Sequence, residues 1–446
     1  MVTKIKICKN TDFKKWNNFV ENSPYGDVLQ FWQWGELKKS EGFRPFRIAV
    51  ITEENGQEKW LLAAQILLKK VSFLGNHAYI PSGPIFYEKN DLKIGLEKLK
   101  EFLTLNNKAY NFLCLEIEPK IGDLVDSGEQ ILQQNPNLKP FVDKEILEII
   151  KKTGFTKTNR NIQPKFKLYY DLEHSEEELL NQCQKTTRYN IKLAAKKQVE
   201  VKEYLANDPQ IPTKIQSFYD LFSKVQAKTK NTSIKPISSF QKMFDFFKFE
   251  LKEFASEIDS QIDSQKKKNL QKPKEKIHQS IISEKNFEKP KLIFRDGVVV
   301  KTHPTKPAEI VQTFDELKKP FGHISLFEAS YQDEIAAMNI SFRTKFWASS
   351  FYASSNPKHL ETKAAYLLRW DSIIQAKRFG SKVYDFWGII PNKKDQKGYS
   401  DHKLGFGGVR IDNVGILSLP LNGFRYQIWR FGITLKTFLK KILKRN

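Results

Sequence analysis

Cysteine is scarce: Cys8, Cys114 and Cys183 are the only three in 446 residues. They are scattered and odd in number, which excludes a disulfide framework and any zinc-binding spacing. Such usage fits a reducing, cytoplasmic setting. No run approaches the roughly 18 consecutive apolar residues of a spanning helix, so any membrane association is expected to be peripheral. The opening Met-Val-Thr-Lys-Ile-Lys-Ile lacks the apolar stretch of a secretion signal. There is no Gly-Lys-Ser/Thr phosphate loop, so ATP hydrolysis is not implied. No Ser-His-Asp or Cys-His arrangement is evident, which argues against a covalent enzyme intermediate. Acidic residues are outnumbered, with 51 Asp+Glu against 74 Lys+Arg and a formal net charge of +23. That field favours polyanions such as nucleic acid, anionic headgroups or phosphorylated substrates, unless it reflects a lysine-rich composition throughout.

What is present is enough for folded domains: 40% of residues are hydrophobic and 13% aromatic. The length predicts two domains plus an insert. Helices are expected over Asp12–Asn22 and Gln33–Lys39. Strands are expected over Phe46–Glu53 and Lys59–Lys69, around the turn Glu54-Asn-Gly56. Leu92–Leu105 reads as a helix, Ala109–Glu118 as a strand, and Leu138–Lys157 as a segment that includes a helix. A second alternating unit starts with the strand Lys165–Leu172 and the helix Glu176–Lys197, capped by Ser175 with Glu178 three residues on. Further helices are expected at Lys214–Gln226, Ser238–Lys248 and Thr362–Gly380. Further strands are expected at Gly322–Ala329, Glu334–Phe342, Phe346–Ala353 and Lys382–Trp387. Residues 256–313 stand apart: rich in Lys, Gln, Ser and acids, poor in aromatics, and read as a charged insertion with a hairpin around Arg295-Asp-Gly297. In the tail, Leu435, Phe438, Leu439, Ile442 and Leu443 follow helical spacing while lysines fill the remaining arc. Such a helix either lies on an anionic membrane or docks its apolar face on the protein.

Five stretches occur in a telling order: Ser23-Pro-Tyr-Gly-Asp-Val-Leu-Gln-Phe-Trp-Gln-Trp-Gly-Glu-Leu-Lys38, Tyr79-Ile-Pro-Ser-Gly-Pro84, Ile162-Gln-Pro164, Lys185-Thr-Thr-Arg-Tyr-Asn-Ile191 and Tyr384-Asp-Phe-Trp-Gly388. Together they resemble the Fem-type aminoacyltransferases, which add amino acids from aminoacyl-tRNA to the peptide of a peptidoglycan precursor. The resemblance covers nearly the whole chain except the insert. It implies an α/β (α+β) fold of two acetyltransferase-like subdomains side by side. These would be residues 1–158 and 159–407, the second carrying the insert, with 408–446 returning to the first. No internal repeat is visible in the sequence.

The resemblance places Lys38 at a contact to the precursor's diphosphate; from the residues alone it is equally an exposed helix lysine. Lys235, in Ser233-Ile-Lys-Pro236, stands where the family has an Arg, which keeps the charge but loses the bidentate fork. Tyr352 matches a tyrosine lining the precursor site. Arg188 and Lys192 are four apart and share one helix face. That face meets the tRNA acceptor end or precursor phosphates, or is simply solvated. Asp385 either lines the site or fixes its loop by accepting backbone hydrogens. Lys403, in Asp401-His-Lys-Leu-Gly-Phe-Gly-Gly408, matches the family lysine, while His402 replaces a Phe. Glu118 falls near a family carboxylate proposed to lie by the incoming amine; a structural ion pair is the other reading.

The implied chemistry is attack of an amine on an activated ester. It needs alignment, oxyanion stabilisation and a proton for the departing ribose oxygen. Lys403, His402 and Glu118 are the candidate catalytic groups. Aminoacyl-tRNA is the expected co-substrate, with no cofactor or metal. The expected acceptor is a UDP-linked or lipid-linked muropeptide, and the expected location is cytoplasmic, at the inner face of the cell membrane if the tail binds it. Two alternatives remain at this level. One is an acyltransferase of the same fold with another amine acceptor or acyl-CoA; the other is a nonenzymatic nucleic-acid-binding protein.

Overall fold

Alternating apolar strands separated by Gly- and Asn-containing turns build two eight-stranded sheets. A computed structural model describes residues 2–54, 56–125, 128–228, 234–247, 292–295, 298–301, 323–390 and 397–443. The first sheet runs in the order Thr3–Ile7, Arg44–Glu54, Gln57–Val71, Gly75–Pro81, Phe112–Glu118, Leu417–Pro420 and Thr156–Lys157, with Ile85–Phe86 paired to Gln57–Val71. The second runs Glu200–Leu205, His323–Tyr331, Glu334–Arg343, Trp347–Ser355, Val383–Ile389, Phe166–Asp171, Val409–Asn413 and Gly122–Val125.

The repeat hidden in the sequence is legible in this topology. Each sheet is antiparallel except for one central parallel pair, Gly75–Pro81 with Phe112–Glu118 and Trp347–Ser355 with Val383–Ile389. A parallel pair requires a crossover. The long helices Lys89–Leu105 and Ala364–Phe379 lie in the two crossovers. Lys89–Leu105 buries Leu92, Leu96, Leu99 and Leu103, at helical spacing, in the core of the first sheet.

One aromatic core spans both halves. Trp16, Phe31 and Trp34 from the amino-terminal helices join Phe218, Phe240 and Phe342 from the second half. Residues 1–247 and 321–446 accordingly form one compact unit, and 248–320 a second. Within that second unit the described part is the strand Leu292–Arg295 antiparallel to Val298–Lys301, and Asp296 and Gly297 of the expected turn lie outside the described residues. The rest of the charged insertion lies outside the described residues.

The sequence reading needs correction at two places. The single helix expected over Glu176–Lys197 is two, Glu176–Gln182 and Lys185–Lys196. The chain is extended at Cys183, where the Gln184 amide donates to the Gly405 carbonyl at 2.8 Å. The strand expected from Ala109 starts at Phe112, after a short helix Asn107–Tyr110 and a left-handed Asn111. The Leu138–Lys157 segment holds the helix it was expected to include, Lys144–Lys152, capped by Asp143, and Pro136–Val142 before it is a 3-10 turn with Pro140 inside it.

Candidate functional site

The second sheet opens where its parallel strands part. Trp347–Ser349 pair with Val383–Asp385, and beyond that point the two strands no longer pair with each other, each keeping only its antiparallel neighbour on the far side. The register against Phe166–Asp171 also shifts between Asp385 and Gly388, a bulge that puts Trp387 at φ +63°. Asp385 holds this shape: one carboxylate oxygen accepts the Trp387 amide at 2.7 Å and the other accepts the Lys167 ammonium at 2.8 Å. The Lys167 and Asp385 side chains are 2% and 1% exposed, so each is the other's replacement for water. Burial pulls the Lys167 pKa down, but Asp385, with Tyr169 and Asp27, outweighs it and raises it.

Gly388 closes the same loop. A Cβ there would lie 2.7 Å from the Pro164 ring, so only glycine lets the Ile162-Gln-Pro164 turn pack against this strand. Glu118 clamps that turn from the first sheet. Its carboxylate accepts the amides of Ile162 and Gln163 at 2.9 and 3.0 Å and the Tyr79 hydroxyl at 2.5 Å. Burial raises the Glu118 pKa against the pull of these bonds. Beside it Lys120 donates to the Gly26 carbonyl at 2.5 Å, pairs with Asp27 at 3.2 Å and sits 3.5 Å from the Trp347 ring centroid. Burial lowers the Lys120 pKa to about 7, with Asp27 resisting and Lys167 assisting. Ser82, Glu118, Lys120, Gln163 and Lys167 surround a cavity of about 10 Å³, about the space one water needs. Four of the five sequence stretches therefore meet within one group of contacts.

A second cluster lies across an aromatic wall. Trp34, Phe351 and Trp387 follow one another with ring centroids 6.0 and 4.3 Å apart. The Lys38 ammonium lies 5.0 Å from the Trp34 centroid and donates to Glu41 at 2.7 Å. Lys235, just before the helix Ile237–Phe246, donates to the other Glu41 oxygen at 2.8 Å. Tyr352 packs edge-on against Phe240 at 5.1 Å and bears electrostatically on Lys235. Burial lowers the Lys38 pKa; Glu41 opposes this and the Lys235 charge adds to it. The three expected precursor contacts Lys38, Lys235 and Tyr352 are thus neighbours, and the two ammonium groups share one carboxylate, Glu41.

Lys403 lies on the helix Lys397–Leu404 and is 2% exposed. It donates to the Gly388 carbonyl at 2.8 Å and to the Tyr399 hydroxyl at 2.5 Å. An ammonium has three donors, so one remains to be directed. Burial, then the Arg369 charge, lowers its pKa well below the ordinary value while Asp385 resists. His402 points elsewhere, edge-on to Tyr366 at 4.4 Å and Phe406 at 5.5 Å. Burial, Arg369 and Lys403 push its pKa down to about 3, so the imidazole is neutral at pH 7. Arg188 donates to the carbonyls of Asn181 and Cys183 and so fastens the break between the two helices. Lys192 is exposed on the second of them, near the exposed Tyr189.

Among the described residues, His77, Cys114 and Glu116 form a cluster whose donor atoms lie within 4.8 Å of one another. It suits a metal poorly. Both Glu116 oxygens are engaged, by His77 and by Arg160 at 2.8 Å each, and the guanidinium would repel a cation. Asp27, Glu41, Lys120 and Lys167 were not singled out in the sequence. Lys167 carries a usable signal, since it interrupts the apolar strand Phe166–Asp171. Glu41 carries none, because a Glu three residues after a helical Lys is an ordinary surface pair.

The model of the FemAB family matches residues 11–432. The chain is 24% identical over 427 residues to the lipid II:glycine glycyltransferase of Staphylococcus haemolyticus (strain JCSC1435), covering 92% of each. It is 30% identical over 232 residues to the enzyme of the same description from Staphylococcus aureus (strain MRSA252), covering 51% of this chain and 49% of the relative. The fold is similar to the crystal structure of FemX, with a TM-score of 0.61 at 18% identity over 95% of this chain and 99% of that one. With a family match that spans nearly its whole length, the chain belongs to the FemAB family.

Proposed function

We propose that the chain is an aminoacyltransferase that places an amino acid on the stem peptide or growing bridge of a peptidoglycan precursor. Aminoacyl-tRNA is the donor and co-substrate and brings its own activated ester, so no further cofactor is needed. The acceptor amine attacks the ester carbonyl, a C–N bond forms, and the bond to the ribose oxygen breaks. The amine's proton is lost and the ribose oxygen leaves as a hydroxyl. Lys403 supplies a donor to the developing oxyanion and, with its depressed pKa, a proton to the leaving oxygen. Glu118 positions the Ile162–Pro164 turn, and Asp385 shapes the mouth of the parted strands. His402 packs on Tyr366 and Phe406 beside Lys403, and Arg188 and Lys192 serve the acceptor end of the tRNA. The working division is 1–158, 159–407 and 408–446, with Gly122–Val125 and Val409–Asn413 lending strands to the second sheet. The enzyme acts in the cytoplasm, at the inner face of the membrane.

The observation that carries this reading is the meeting of Lys38 and Lys235, far apart in sequence, on one carboxylate beside Tyr352. Two half-buried lysines that share a single Glu keep a net positive charge and suit a diphosphate that displaces the carboxylate. Lys38→Ala and Lys235→Ala should each raise the acceptor KM about tenfold with kcat nearly unchanged, the loss of one charged contact. Their combination should raise it by less than the product, since both act on one group. Glu41→Gln should lower KM; a rise would mean that the carboxylate positions the lysines for the acceptor.

The function is tested by mixing the protein with UDP-linked and lipid-linked muropeptides and a pool of labelled aminoacyl-tRNAs, then measuring acceptor masses. A discrete amino-acid gain that disappears after RNase treatment is expected. No gain with either acceptor, from folded protein that binds tRNA, would overturn the assignment in favour of another acyltransfer.

A further inference from the structure

The carboxy-terminal helix Gly423–Leu443 has two opposite apolar faces. One is used. Tyr426 is 2% exposed and packs with Leu74, Leu113 and Cys114, while the Trp429 ring lies 4.8 Å from His77 and 4.9 Å from the Arg160 guanidinium. The other is bare. Phe424 is 78% exposed, Phe431 70%, and Ile428, Leu435 and Leu439 between 41% and 49%. At about 100° per residue these five fall within an arc of about 80°, on the side away from Tyr426 and Trp429. The turn Ser72–Leu74, which packs against this helix, adds Phe73 at 79% exposure, just after Lys69 and Lys70. From Gly423 to Asn446 the sequence has seven Lys or Arg and no Asp or Glu.

We propose that this helix is a peripheral membrane anchor that lies in the interface of an anionic bilayer. Phe424, Ile428, Phe431, Leu435 and Leu439 enter the acyl region, and the basic residues meet the headgroups. This extends the membrane side of the proposed function and rests on that part of it alone. An RNA surface would share the charge but has no use for a continuous exposed apolar stripe. No described helix is long and apolar enough to cross a membrane, which leaves the interface. Tyr426 and Trp429 tie the anchor to the first sheet, so binding would orient the whole first half toward the lipid.

The test is co-sedimentation of the full chain with phosphatidylcholine vesicles, with and without phosphatidylglycerol. Binding is expected only when phosphatidylglycerol is present, and it should weaken with salt. Phe431→Glu with Leu435→Glu should lower vesicle affinity by at least about tenfold. Both residues are exposed, so the melting temperature and transfer to a soluble UDP-linked acceptor should not change. Phe73→Ser, outside the helix, should give a smaller loss. Wild-type protein that ignores anionic vesicles would overturn the proposal, as would a double variant that binds them equally well. A double variant that loses tRNA and keeps vesicles would overturn it too. Failure of amino-acid transfer with vesicle binding intact would count against the proposed reaction and leave the anchor standing.

Discussion

Replacing Lys403 by Met should lower kcat about 100- to 1000-fold, the range seen when one preorganised oxyanion donor is removed. The acceptor KM should change little, because the proposed phosphate contacts Lys38 and Lys235 are on other elements. Met keeps the bulk of the side chain and removes the donors to Gly388 and Tyr399. Two effects must be separated, loss of the ammonium at the reaction centre and relaxation of the Tyr384–Gly388 strand end. Lys403→Arg restores charge and hydrogen bonding to the loop but not the compact shape of the group. If Lys403 only braces the loop, Arg should rescue most of kcat. If it serves the reacting atoms, Arg should rescue stability and leave kcat low. Single-turnover rates with preloaded aminoacyl-tRNA distinguish the two.

Asp385→Ala should destabilise the protein by about 3–5 kcal/mol, because it strands a buried Lys167 ammonium without a partner. The same change frees the Trp387 amide and releases the left-handed turn that Asp385 imposes. Lys167→Met combined with Asp385→Leu should recover most of the stability, since a buried ion pair is worth little more than a well-packed apolar pair. Urea midpoints of the three proteins give the comparison. The double variant should stay inactive despite its recovered fold, because the bulge at Trp387 still lacks its carboxylate acceptor. Full activity in the double variant would remove Asp385 from the site and leave it a purely structural charge.

The residues that could be read directly from the chain are those with a local signature. Ser175 and Glu178 announce a helix start through reciprocal capping, and the capping box is there. The Leu92–Leu105 periodicity announces a helix, and Glu54-Asn-Gly56 a turn between strands. Lys38, Lys235, Tyr352, Asp385, Lys403 and Glu118 could be nominated because the order of motifs resembles a known family. Nothing local distinguished Lys38 from any other helix lysine. What was not legible depended on distant chain. The break at Cys183 comes from a carbonyl contributed by Gly405, and no window of sequence around Cys183 contains it.

The sequence by itself determined most of the elements, the excess of positive charge and the amphipathic tail, since each rests on composition or on spacing within a few turns of chain, while the family resemblance rested on the order of five motifs along the chain. Only the tertiary structure decided which charges are partners. Asp27 with Lys120, Lys167 with Asp385, and Glu41 with Lys235 join residues far apart in the chain. It also decided that one face of the last helix is covered and the other open. Burial is what turns a charged side chain from a solvated group into one that must find a partner, and burial is a property of packing rather than of any residue alone.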